Sequence, residues 1–141
     1  MKKCLALSLI VLVMVVISCG KKEVKKVSED SKMAVEAFDV AEKIKEAYIK
    51  KNFTAIEEYT TKDGARSILA SMKGFDSVEL EFNPVLIEIE GDLLHLYISW
   101  NGIWQKSGKT TEERGLAAFV LKGKPLKLDN ILRANPFVYP E

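Results

Sequence analysis

A thiol stands directly behind a short apolar run near the start of the chain, in Val16-Ile17-Ser18-Cys19-Gly20. A thiolate attacks far better than a hydroxyl, so a cysteine at such a point is suited to covalent modification. Farther along, Asp39, Tyr48 and Tyr59 lie on segments with helical patterning. A carboxylate and a phenol converging on one cavity would serve as general base and oxyanion donor once desolvation had tuned them. The alternative leaves Asp39 solvated and packs the tyrosines with their hydroxyls outward. Trp100 and Trp104, four residues apart around Gly102, either fill a core or wall a ligand pocket. Arg114 requires a carboxylate or an anionic ligand if it is buried, and exposure at a strand end is the other reading. His95 is the only histidine, no His-x-x-x-His or Glu-x-x-His spacing accompanies it, and strand alternation turns it away from the core. Asp39, Tyr48, Tyr59, Trp100, Trp104 and Arg114 are therefore candidates for ligand binding, and no catalytic, metal or cofactor signature is legible.

The apolar run itself has the order of a secretory signal: Lys2 and Lys3, an apolar stretch from Leu5 to Ile17, then small residues at a cleavage point. As a helix that stretch would rise about 20 Å, short of the roughly 30 Å hydrocarbon core, which argues for cleavage over a permanent span. Val16, Ser18, Cys19 and Gly20 together resemble the lipobox of bacterial lipoproteins. That resemblance implies a diacylglycerol on the Cys19 thiol and a third acyl chain on its freed amine, and several chains hold a protein on a bilayer where one does not. An ordinary signal peptide that happens to end in cysteine is the alternative. The resemblance implies a cell-envelope location, with membrane lipid as a partner through acylated Cys19. It mildly favours the outer membrane in a Gram-negative cell, because Gly20 stands where the family's retention signal is an Asp.

Three segments follow: a signal peptide over 1–18, a lipidated cysteine with a basic tether over 19–29, and a domain over 30–141. Cys4 would be discarded and Cys19 acylated, so the mature domain would have no thiol, disulfide or thiolate metal site and would depend on a packed core. The 123 residues from Cys19 onward suffice for one domain, and their 19 basic and 20 acidic side chains give no support to nucleic-acid binding. Lys21, Lys22, Lys25 and Lys26 against Glu23 make the tether basic, whereas Ser28 onward carries 15 basic and 19 acidic residues. The tether reads either as a solvated spacer or as a segment drawn to anionic head groups.

Ser31 is placed to cap a helix running to about Asn52, with Val35, Phe38, Ala41, Ile44, Ala47 and Tyr48 on one stripe and Asn52 as its left-handed terminus. Thr54 and Glu57 form a capping-box pattern for a short helix over 53–59, with Phe53 as its staple. Thr60 or Thr61 starts a third helix that Gly74 closes. Beyond Phe75 the period becomes two. Val78, Leu80 and Phe82 alternate with glutamates, then Val85, Ile87 and Ile89 take over one residue out of phase, predicting a bulge at an edge-strand Pro84. Gly91-Asp92 turns into a strand over 93–105, the polar loop 106–111 leads to a strand over 112–121, and Lys122-Gly123-Lys124-Pro125 turns into a last strand over 126–133. Helices followed by a meander of about four strands predict an α+β fold with helices on one face of a single antiparallel sheet.

The N-terminal helices, the bent long hairpin and the final strand Leu126-Lys127-Leu128-Asp129-Asn130-Ile131 after its Gly/Pro turn resemble the NTF2-like (SnoaL-like) superfamily. The resemblance covers about residues 30–137 and implies a cystatin-like cone in which a curved sheet wraps a long helix. Leu126-Lys127-Leu128 departs from the Trp-Lys-Ile found in many relatives. Cone-shaped members commonly hold a small apolar ligand in the mouth, a few are isomerases or dehydratases, and many pair through the outer sheet face. Tyr97, Ala117, Phe119 and Leu121 are expected on that outer face, too apolar for a solvated surface, and a two-fold homodimer would cover them. The leading expectation is a non-catalytic envelope lipoprotein that binds a small apolar molecule or an envelope protein. An isomerase- or dehydratase-type enzyme using Asp39 with a tyrosine, and a structural or assembly lipoprotein, are the alternatives.

Overall fold

The computed structural model describes residues 28–140. The signal segment, Cys19 and the tether lysines fall outside the described residues. Within them the order is α1 (Glu29–Ile49), α2 (Phe53–Glu58), α3 (Lys62–Leu69), then β1 (Ser77–Glu90), β2 (Leu93–Lys106), β3 (Lys109–Lys122) and β4 (Lys127–Arg133), with a 3-10 turn at Pro136–Val138. The strands form one curved antiparallel sheet in the order β1-β2-β3-β4, and the helices pack on one of its faces. The class is α+β, as the helix-then-strand order implies.

Each helix begins at a side-chain cap, and two of the caps differ from expectation. Ser28, not Ser31, caps α1, its Oγ accepting from Ser31 N–H at 3.1 Å. The stripe that α1 buries is Ala37, Val40, Ala41, Ile44, Ala47 and Tyr48, while Val35 is exposed. The expected left-handed Asn52 is instead the cap of α2, accepting from Ala55 N–H at 3.1 Å, and Lys51 takes the left-handed turn with φ 55°. The Lys51 ammonium donates to the Phe75 carbonyl, a bond that helps hold a conformation costly for a non-glycine residue. Thr61 caps α3, accepting from Gly64 N–H at 3.2 Å and donating to Asp129 Oδ1 at 2.7 Å. That second bond ties the helical layer to β4.

The bulge falls where the phase slip put it, between Pro84 and Leu86 on edge strand β1. The hairpin between β2 and β3 is tighter than a six-residue loop. Thr110 pairs with Gln105 and Lys109 with Lys106, leaving the two-residue turn Ser107-Gly108 with both residues at positive φ. The β2–β3 register also corrects the sheet faces. Leu94, Leu96 and Ile98 pair with Leu121, Phe119 and Ala117, so all six lie on the core face, and Tyr97 shares the outer face with Leu116, Ala118 and Val120.

Among the described residues, the buried core is drawn from positions between Ala37 and Phe137. One close approach sets the seam between α3 and β4. A Cβ built on Gly64 would strike the Leu128 backbone carbonyl and come within 3.3 Å of Asp129 Cα. Alanine there is favoured by helix propensity by about 1 kcal/mol, yet backbone cannot yield as a side chain can. Gly64→Ala is expected to lower stability by about 1–3 kcal/mol in urea unfolding, and a variant as stable as the parent would contradict this packing.

Candidate functional site

At the end of the cone where α1 finishes, β2 carries Trp100 and Trp104 on its core face with Gly102 between them. The Trp104 ring folds back over Gly102, so closely that a Cβ on that glycine would overlap it. Trp104 is fully buried, and its Nε1–H donates to Tyr48 Oη at 2.9 Å. Tyr48 Oη in turn donates to the Tyr139 carbonyl at 3.0 Å. Trp100 Nε1–H donates to the Ala134 carbonyl at 2.9 Å. Around these bonds the Tyr139 ring sits 5.8 Å from Trp100 and 5.4 Å from Trp104, and Phe137 sits 4.9 Å from Tyr48, centroid to centroid.

The segment from Ala134 to Tyr139 therefore fills this end of the cone. Its local shape comes from Asn135, whose Oδ1 accepts from Phe137 N–H at 2.9 Å, and from Pro136, which suits the first position of a helical turn. Burial pushes the Tyr48 phenol up to about 12, against the smaller opposing effect of the Trp104 hydrogen bond. Tyr48 is thus neutral at physiological pH, and its only proton is already given to Tyr139. An oxyanion would find no donor free at that hydroxyl.

The remaining candidates lie elsewhere. Asp39 is exposed on α1 and pairs with Lys43, Nζ to Oδ2 at 2.7 Å, while the same ammonium sits 5.3 Å from the Tyr59 ring centroid. The Lys43 pKa is raised, chiefly by its hydrogen bond to Asp39. Asp39 and Tyr59 are thus brought together through Lys43 on the outside of the helical layer, apart from the buried Tyr48. Arg114 pairs with Asn101 on the outer sheet face, where Asn83, Ser99 and the edge of Trp100 join it around a shallow hollow of about 380 Å³. Of the six candidates, Tyr48, Trp100 and Trp104 form one cluster, Asp39 and Tyr59 another, and Arg114 lies apart from both, bordering the Trp100 hollow and a second one lined by Asn101, Glu112 and Glu113. His95 sits on the outer face between Glu88 and Val120.

Two features were not read from the sequence. One is a row of in-register residues crossing all four strands on the outer face, Leu86, Tyr97, Ala118 and Leu132. Leu86 is 51% exposed and Leu132 43%, while Ala118 between them is already buried, and exposed Leu116 and buried Val120 flank the row on β3. Tyr97 is held in it by donation to Glu88 Oε2 at 2.9 Å and by the Arg133 guanidinium 5.5 Å from its ring, and the bond to Glu88 raises its pKa. The alternation of β3 carries the signal, but its apolar run reads equally well in either phase, and pairing with β2 puts Leu116, Ala118 and Val120 on this face. The other feature is a cleft at the opposite end of the cone, between the start of α1 and the β1–β2 and β3–β4 turns.

No family model matches the chain, and no curated protein matches it. Among solved structures, one similar chain is a nuclear transport factor 2 (NTF2-like) superfamily protein from Salmonella enterica subsp. enterica serovar Typhimurium str. LT2. It aligns at a TM-score of 0.59 and 12% identity over 76% of this chain and 93% of that one. The fold is NTF2-like. A second chain, described as "Rd1NTF2_04 with long sheet", aligns at a TM-score of 0.44 and 15% identity over 67% of this chain and 96% of that one. At such identities the NTF2-like domain shares backbone architecture with the Salmonella protein, and its side chains have to be read on their own.

The aromatic end of the domain can be probed at its central oxygen. Tyr48→Phe leaves the buried Trp104 N–H without its acceptor and releases Tyr139, and is expected to cost about 1–3 kcal/mol. Urea unfolding followed by tryptophan emission would read both the loss and a red shift from water reaching the indoles. A variant of parental stability and emission would remove this bond from the account of the closed end.

Proposed function

We propose that the chain is a lipid-anchored envelope lipoprotein whose NTF2-like domain is a non-catalytic binding module, acting through its outer sheet face on a second copy of itself. The observation that carries this reading is the filled aromatic end of the cone. There the polar atoms of Tyr48, Trp100 and Trp104 are spent on one another and on the C-terminal segment, while on the outer sheet face Leu86 and Leu132 stand exposed at the two ends of a row that half-buried Tyr97 and buried Ala118 complete. Burying such a row against its own two-fold mate satisfies it with one self-complementary patch. The anchored part of the reading is supported by the order of Lys2, Lys3, the apolar run and Val16-Ile17-Ser18-Cys19, and the outer membrane remains the favoured address on Gly20. The isomerase or dehydratase alternative draws no support from Asp39, whose carboxylate is exposed and paired with Lys43.

Two measurements test the reading separately. Mass spectrometry of the protein extracted from membranes should show an N-terminal peptide that begins at Cys19 and carries acyl chains. Cys19→Ser should abolish that mass and membrane retention, and an unmodified Cys19 would end the lipoprotein reading. For the domain from Ser28 onward, sedimentation should give a dimer that Leu86→Lys with Leu132→Lys dissociates. A monomer across micromolar to submillimolar concentrations would rule the pair out.

A further inference from the structure

We infer that the open end of the cone is a docking cleft for anionic phospholipid head groups of the membrane that the tether enters. The cleft encloses about 830 Å³. Its floor is a continuation of the core face beyond the helices. Ile89 pairs with Leu94 on that face, yet it is 38% exposed where Leu80 on the same strand is 5%. Met33 and Leu126 complete the floor, and Lys122, Lys124 and Lys127 form its rim. The Glu36 carboxylate accepts from Leu126 N–H at 2.9 Å, which holds the β3–β4 turn against α1 and keeps the rim in place. Lys122 is paired with Asp129 at 2.8 Å, but Lys124 and Lys127 have no ion-pair partner among the described residues, and Asp92 is the acidic residue lining the cleft.

The combination selects the ligand class. A small inorganic anion would use the rim and leave the apolar floor wet, and a neutral apolar molecule would use the floor and leave two ammonium groups unanswered. A phosphodiester head group on a glycerol backbone with acyl chains answers both. Position points the same way. Ser28 lies one and a half turns before Met33, so the cleft is at the end of the domain that Lys21, Lys22, Lys25, Lys26 and Cys19 precede in the sequence. Asp30 is the opposing charge nearest the junction, and Glu29 is answered by Lys32 at 2.9 Å. The inference rests on the anchored reading only for which membrane is met; the binding itself does not need the acyl chains.

The test uses the domain from Ser28 onward, which holds every core residue described above, with phosphatidylcholine vesicles with and without phosphatidylglycerol. Co-sedimentation is expected only with the anionic vesicles, and Lys124→Glu with Lys127→Glu should lower it by at least about tenfold. The charge-matched control is Lys106→Glu with Lys109→Glu, at the hairpin about 45 Å away along the strands, and it should retain parental binding. Ile89→Asn should weaken binding several-fold by wetting the floor. Equal loss from the two lysine pairs, equal binding to neutral vesicles, or no binding to anionic vesicles would overturn the inference. Because no acyl chain is present, each of these results stands apart from the fate of Cys19.

Discussion

The hydrogen bonds that run from Trp104 through Tyr48 to Tyr139 are the constraint on which the rest of this domain depends. They join the three parts of the molecule, β2, α1 and the C-terminal segment, at one phenolic oxygen. In a dry interior an indole N–H and a phenol are each costly to bury unpaired, and here each supplies what the other lacks. The same arrangement explains why β2 carries a glycine between its two tryptophans. The Trp104 ring needs the space above Gly102 to reach back toward α1, and any side chain there would push it away from Tyr48. Closure of the cone, the glycine in mid-strand and the ordered C-terminal turn are thus one solution to a single problem of polar satisfaction.

Much of the architecture was legible because it rests on local physics. The period change after Phe75 and the phase slip at Pro84 are each set within a few residues and appear where the pattern put them, and of the two expected helix starts, Thr60 and Thr61, the cap is Thr61. The misplaced features need information from across the sheet. Ala117, Phe119 and Leu121 were put on the outer face because a uniformly apolar run fits either phase, and only pairing with β2 decides between them. Ser28 and Asn52 displaced Ser31 and Thr54 as caps because several capping side chains compete within one turn, and tertiary docking of the helix chooses the winner.

The candidate site was legible in composition and not in arrangement. Tyr48, Trp100 and Trp104 were singled out from the sequence, and they do meet, but they meet as a packed cluster with the C-terminal segment. That segment, Ala134 to Tyr139, has no helical or strand period, so nothing local marked it as the lid of a cone. Asp39 shows the converse. Its helical position left its direction open, and Lys43 one turn later settles it by an ion pair on the solvent side.

Closing one end of the cone gives the molecule a direction. The aromatic end is sealed, the lysine-rimmed end is open, and α1 begins at the open end. About eight residues separate Cys19 from Ser28, a reach of at most roughly 30 Å, so an anchored domain would stand with its open end toward the bilayer. A pair formed through the outer sheet face must then obey a further condition. Two tethers entering one membrane at equal height require the two-fold axis to run along the membrane normal, and an axis lying in a sheet-to-sheet interface and running roughly along the strands meets that requirement. The axis that buries Leu86, Tyr97 and Leu132 in the proposed pair would then also present two open clefts side by side to the same surface. Two weak head-group contacts on one rigid body act at a high effective concentration, so pairing and lipid contact would strengthen each other without any change in either site.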